Sequence, residues 1–419
     1  MKKMKKSLAI ISLVLFCALT LNLSGCVSAG AVDLMKGIEP GEMIALAPDT
    51  ELCNDAASDF AVRLFKNCYA DDNTLVSPLS VFSALAITAN GADGETLNQI
   101  EEVLGLSSDE LNVYLYAYLK NLPQGEKYKL SLANSIWFTD DERFTVNESF
   151  LQTNATYYGA DMYKAPLNRS TLGEINSWVK EKTDGMIPKI LNEIPDSAIM
   201  YIINALAFEA EWTDIYEHQQ VRNGEFTKED GTTQNAKFMY STEAVYLEDE
   251  NATGFIKYYK GHKYAFVAML PDEDVSLSEY ISSLDGKTIR DMLQNPQHYS
   301  TVHTAIPKFE TEYDVEMSDI LSSMGMSDAF DTEKADFSNL GTSSAGNIFI
   351  SLVLHKTYIS VGEKGTKAGA VTVIETTDGA SAIVGEPKYV YLDRPFVYML
   401  IDCENNLPFF IGAMTDINK

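Results

Sequence analysis

The chain has 419 residues, five cysteines, five histidines and a formal net charge of −28. So acidic a protein is repelled by nucleic acids and by anionic lipid headgroups, which argues against both as partners. The cysteines have no metal-type spacing and the histidines form no HExxH pair, so neither a disulfide scaffold nor a zinc site is expected, and no cofactor.

The opening MKKMKK carries four lysines, and Leu8–Leu23 is almost wholly apolar before Leu23-Ser24-Gly25-Cys26. That pattern predicts a lipoprotein signal peptide over residues 1–25, with the Cys26 thiol taking a diacylglycerol. The expected location is therefore extracellular, on a bacterial cell surface, held to the membrane by a lipid without spanning it. Removing the leader deletes four lysines and no acids, taking the charge from −28 to −32. Residues 26–50, with Gly30, Gly37, Pro40 and Gly41, read as a spacer between lipid and body.

Residues 51–419 read as one mixed α+β domain, because no repeat, low-complexity tract or Pro/Gly-rich break divides them. A helix is expected from about Asp55, with Phe60, Leu64 and Phe65 on one face. Ser77-Pro78 sets an N-cap before proline at the first helical position, and Leu79–Ala89 carries too little charge to face water anywhere. Cys53 and Cys68 read as buried hydrophobes in preference to a pair. Leu130–Phe138 and Tyr201–Phe208 predict buried strands, and Leu172–Leu191 between them a helix with Ile175, Trp178 and Val179 on one face. Strands dominate from Val302, and Phe396–Ile401 is apolar enough to need cover on both faces.

One segment carries a pattern of its own. In GTKAGAVTVIETT, Gly365–Thr377, a strand would send Thr366, Ala368, Ala370, Thr372, Ile374 and Thr376 to one face, none of them charged. Lys367 and Glu375 fall on the other face, and a register slip of one residue would bury both. The pattern suits a strand entering the middle of a sheet, with one face on the core.

Six stretches, in order and spanning more than three hundred residues, resemble the serpin family. They are NTLVSPLSVFSALAITANGADGETLNQIEEVLGL (Asn73–Leu106), LANSIWF (Leu132–Phe138), YIINALAFEAEW (Tyr201–Trp212), IPKFETEYDVEMSDILSSMGMSDAF (Ile306–Phe330), HKTYISVGEKGTKAGAVT (His355–Thr372) and RPFVYMLIDCENNLPFFIGAM (Arg394–Met414). The resemblance implies a serpin fold of three β-sheets with eight to nine helices and an exposed reactive-centre loop. It implies a monomeric inhibitor, not an enzyme, that traps serine proteases covalently when the cut loop inserts into the central sheet. It also assigns a hinge at Glu363, Gly365, Thr366, Ala368 and Ala370, and a sheet-opening cluster at Ser77, Ser80, Asn204 and His355. Trp212 matches the tryptophan where the loop enters, and Lys308 the partner of Glu363. Counting forward from Glu363 by the family's spacing puts the cut bond at Gly379-Ala380; counting back from Pro395 puts it near Val384.

Between Lys367 and Lys388 there is no Lys, Arg or aromatic residue. A trypsin-like pocket needs a cation and a chymotrypsin-like pocket a ring, so the expected partners are extracellular elastase-like or subtilisin-like proteases. A non-inhibitory member serving as a surface binding module is the alternative, and the uncharged Thr366 face speaks against it. The missing GxSxG turn speaks against a hydrolase.

Overall fold

The computed structural model describes residues 30–44, 46–194, 199–344, 346–366 and 386–419. The expected lipid site Cys26, the hinge residues Ala368 and Ala370, the cut-bond window from Gly379 and Ala380 to Val384, and the exposed loop lie outside the described residues.

A seven-stranded sheet runs in the order β1 (Val32–Asp33), β5 (Asp161–Ala165), β3 (Tyr128–Thr139), β6 (Met200–Glu211), β15 (Gly365–Thr366), β14 (Leu352–Gly362), β12 (Phe309–Glu316). A nine-stranded sheet runs β16 (Lys388–Tyr391), β11 (Gln297–Pro307), β8 (Thr233–Glu248), β9 (Ala252–Tyr258), β10 (Tyr264–Pro271), β17 (Phe396–Asp402), β18 (Leu407–Met414), β2 (Thr74–Val76), with β7 (Val221–Thr227) also on β8. The short β4 (Phe144–Val146) and β13 (Gly341–Ser343) form a third. Nine α-helices complete the described residues: α1 (Thr50–Cys68), α2 (Pro78–Ala89), α3 (Gly94–Leu104), α4 (Ser108–Asn121), α5 (Glu148–Tyr157), α6 (Arg169–Lys182), α7 (Leu277–Ser283), α8 (Gly286–Gln294) and α9 (Ser318–Met324). The mixed α+β class, three sheets and helix number match expectation.

Burial explains the elements. Every residue of β10, β17 and β18 is buried, as an apolar strand covered on both faces requires. In α2 all but one residue is buried, consistent with its lack of charge. Leu206, Phe208, Ile359 and Val361 fill the core between the two large sheets, while Tyr201, Ile203 and Leu354 meet Trp178 and Val179 of α6 on the opposite face. The strands β6 and β14, which the site uses, are thus gripped from both sides.

Several boundaries differ from expectation for identifiable reasons. Helix α1 starts at Thr50, because the Asp49 carboxylate accepts from the Glu51 and Leu52 N–H groups. Helix α6 stops at Lys182 and does not run to Leu191, since Asp184 and Gly185 turn left-handed (φ 50° and 79°). The chain then doubles back, and the Asn176 side chain accepts from the Ile190 and Leu191 N–H groups. Ser77 holds the N-cap position of α2, yet its hydroxyl caps nothing. Cys53 and Cys68 are buried and unbonded to each other.

Residues 32–44, within the stretch expected to act as a spacer, lie against the body. Val32 and Asp33 add an edge strand to β5, and Leu34, Met35 and Ile38 pack on the main core. Gly41 N–H donates to Thr156 Oγ1 and Ile44 N–H to the Tyr157 hydroxyl, each at 2.7 Å. Its spaced apolar residues and unpaired backbone groups find partners along β5 and α5.

Candidate functional site

Strands β6 and β14 run parallel and pair directly over Tyr201–Ala205 and Leu352–Lys356. Farther along they separate, and β15 wedges between them, Gly365 and Thr366 lying antiparallel to Glu211 and Ala210 on one side and to Gly362 and Val361 on the other. Between pairing and wedge, Leu206–Glu209 and Thr357–Ser360 have no ladder partner across the opening among the described residues. The sheet is therefore open from the top, with the beginning of a new strand already seated in it.

The turn that feeds the wedge is clamped through its backbone. Trp212 N–H donates to Lys364 O at 2.8 Å, its indole N–H to Gly362 O at 2.9 Å, and Tyr216 N–H to Glu363 O at 2.9 Å. Trp212 is fully buried, stacked on Tyr259 at 4.3 Å and 7°, and the Tyr259 hydroxyl bonds Thr366 Oγ1. Gly365 has φ 150°, and a Cβ there would sit 1.9 Å from the Ala210 carbonyl oxygen, so only glycine lets the wedge enter. Above the turn Lys308 Nζ meets Glu363 Oε1 at 2.8 Å. Partial burial works to raise the Glu363 carboxyl, but the Lys308 ammonium outweighs it and holds the group below the usual carboxylate range. Below the wedge Lys257, 2% exposed, pairs with Glu243 at 2.8 Å and stands over the rings of Tyr216 and Trp212.

Just below the opening, where β6 and β14 pair directly, a second group is sealed from water. His355 of β14 pairs with Asn204 of β6, and its Nδ1 lies 2.7 Å from Asn204 Oδ1 while Nε2 accepts from Ser77 N–H at 3.0 Å. An amide oxygen only accepts, so Nδ1 carries the proton and the ring must be neutral. Burial pushes the imidazole down to about 3. The hydroxyls of Ser77 and Ser80 and the Asn204 amide nitrogen are buried and make no hydrogen bond. The resemblance groups all four in one cluster; the structure joins Ser77, Asn204 and His355 by hydrogen bonds, with Ser77 using its backbone. Ser80 lies one turn on, buried but unbonded.

The family model described as serpin (serine protease inhibitor) matches residues 55–417. The chain belongs to the serpin family. It is 30% identical over 369 residues to a serpin-like protein of Thermococcus kodakarensis, covering 86% of this chain and 84% of that one. It is 27% identical to the leukocyte elastase inhibitor of Equus caballus, over 84% and 95% of the two chains. Among solved structures, the thermophilic serpin tengpin in its native state has a TM-score of 0.87 at 48% identity, covering 93% of this chain and 100% of that one. Tengpin in its latent state scores 0.78 at 47%, covering 89% and 100%. Members of this family are generally protease inhibitors.

In this serpin Trp212, Lys308, Glu363, Gly365 and Thr366 meet at one place, and Ser77, Asn204 and His355 at another. Sequence reasoning missed Tyr259, Tyr216 and the Lys257–Glu243 pair. Tyr258-Tyr259 in an apolar strand reads as core, and nothing in its spacing points to a tryptophan 47 residues away. A lysine inside the run Gly254–Tyr258 was a usable signal, since a strand buried on both faces tolerates a cation only beside a carboxylate.

Proposed function

We propose that this serpin inhibits elastase-like or subtilisin-like serine proteases as a suicide substrate, by inserting its cut loop into the opening between β6 and β14. The wedge of Gly365 and Thr366 carries this reading, because it fixes a register. Continued down the opening, that register sets Ala368, Ala370, Thr372 and Ile374 beside the core-facing Phe208, Leu206, Asn204 and Ile202 of β6. Lys367 and Glu375 fall on the other face, Lys367 level with Glu209. Thr372 arrives between Asn204 and His355, where its hydroxyl can serve the unbonded Asn204 amide.

Insertion supplies hydrogen bonds to the unpartnered stretches of both strands and buries the uncharged face, so the cut chain lies lower in free energy. The intact fold is held kinetically until cleavage releases it. Ten residues at about 3.3 Å each carry the free end roughly 33 Å. The protease, still acylated through its serine, is dragged with it. Its oxyanion hole and triad lose the alignment that deacylation needs. The cut falls between Gly379-Ala380 and Val384, where small and aliphatic residues suit a shallow pocket. The elastase inhibitor among its relatives supports that target class. The chain acts as a monomer on the outer cell surface, tethered through a lipid on Cys26.

Mixing the chain with subtilisin and with pancreatic elastase tests this. A complex that survives boiling in detergent is expected, and cleaved chain should melt at a higher temperature than intact chain. Cleavage with no complex and no rise in melting temperature would make it a non-inhibitory member.

A further inference from the structure

The loop ends where β16 begins, and β16 is an edge strand whose outer face carries Tyr389 and Tyr391, 60% and 38% exposed. The other exposed large apolar side chains among the described residues, Val32, Met43, Ile44, Leu46 and Leu52, lie in the N-terminal stretch, so this pair stands apart. Tyr391 stands in register with the buried Ala305 on β11, and Tyr389 with the half-buried His303.

The pair is braced. The His303 ring stacks on Tyr389 at 4.9 Å, Tyr391 stands edge-on to Tyr389 at 6.2 Å and to Tyr240 at 6.0 Å, and the Arg222 guanidinium lies 5.3 Å above Tyr240. Five side chains thus form one row across β16, β11, β8 and β7. Rings held this way lose little rotamer freedom on contact, and Tyr and Arg are the residue types that anchor interfaces. The row also ends in a cation, in a chain of net charge −28: Arg222 has no carboxylate partner among the described residues.

We infer that this face is a second contact surface for the protease engaged on the loop, taking an acceptor-rich, acidic patch of that enzyme. The inference rests on the inhibitory reading above. From Val384, the far limit of the cut-bond window, to Tyr389 is five residues, at most about 18 Å of extended chain. A protease domain of about 250 residues has a radius of gyration near 18 Å. With its serine at that end of the window, its body reaches over β16. Contacts there add to encounter and to selectivity among enzymes whose pockets accept the same small residues.

The experiment compares wild-type chain with Tyr389→Ala, Tyr389→Ala/Tyr391→Ala and Arg222→Ala, using subtilisin and elastase. Two quantities are read: the second-order rate of complex formation, and the moles of inhibitor consumed per mole of enzyme trapped. The double variant is expected to form complex with at least one enzyme about tenfold more slowly, Arg222→Ala to lose part of that rate, and consumption to stay unchanged, since insertion is untouched. Unchanged rates in all variants would overturn the inference. A slower rate with rising consumption would overturn it too, because the substitutions would then be acting on the loop. Tyr389→Ala lies 60% exposed on an edge, so it keeps the comparison alive if the double variant unfolds. Wild-type chain that traps neither enzyme would defeat the inhibitory reading itself, a failure distinct from those two.

Discussion

The turn at the top of β14 and the cluster halfway down the same strand close one opening by opposite means. At the turn nearly every group is bonded: Trp212 and Tyr216 hold three carbonyls, and Lys308 holds Glu363. The ion pair borders solvent, both side chains being about a third exposed. At the cluster nothing touches water, yet the Ser77 and Ser80 hydroxyls and the Asn204 amide nitrogen are unbonded. An unpaired buried polar group costs about 1–3 kcal/mol. The turn therefore resists by what it would lose, whereas the cluster yields because parting the strands gives it something to gain. On the proposed mechanism, a sheet built this way stays shut against thermal fluctuation and opens for a strand that brings a hydroxyl.

Of the single substitutions, removing the keystone of the turn should have the largest effect. Trp212→Ala deletes a fully buried ring together with its indole bond to Gly362, and about 4 kcal/mol is expected, read from denaturant unfolding of the intact chain. Trp212→Phe keeps the stack on Tyr259 and should recover most of it, leaving a deficit of about 1 kcal/mol for the lost hydrogen bond. A loss below about 1 kcal/mol for the alanine variant would mean that the turn is held elsewhere.

The cluster is probed by acid. His355 is neutral when folded, its value lowered from 6.5 to about 3, so the unfolded chain binds the extra proton between those limits. Its contribution is fully present above pH 6.5, falls by about 1.4 kcal/mol per pH unit as pH drops toward 3, and is flat below. Protonation would set Nε2–H against the Ser77 N–H, so the ring leaves or the strands part. Following the imidazole by NMR gives an independent check: titration near 6.5 in the folded chain would contradict the sealed cluster.

How much of this was legible in the sequence follows from the range of the interactions involved. The strand face from Thr366 to Thr376 could be read because side chains alternate along a strand, a local rule. The buried α2 was legible because it lacks charge over eleven residues. By contrast, the end of α6 turned on Asn176 accepting from backbone 14 and 15 residues on, and the docking of Val32 on β5 depended on an edge that exists only once the sheet has formed. Family resemblance located Trp212 and His355, but not the Tyr259 beneath one nor the unbonded amide beside the other. Those are facts of packing between strands far apart in the chain, where periodicity has no purchase.

The smallest expected effect sharpens the comparison most. Lys308 and Glu363 are 35% and 38% exposed, and ion pairs so placed are worth about 0.5 kcal/mol, with salt screening much of it. Lys308→Ala should lower unfolding stability by about that amount at low ionic strength and by almost nothing at 1 M salt, and a double-mutant cycle with Glu363→Ala should return the same small coupling. The backbone of the turn would still hang on Trp212 and Tyr216, so trapping of subtilisin should proceed at nearly the wild-type rate. A coupling above about 2 kcal/mol that persists in salt would reverse the order of importance. The latch would then be the charge pair, and the bonds from Trp212 and Tyr216 would only position it.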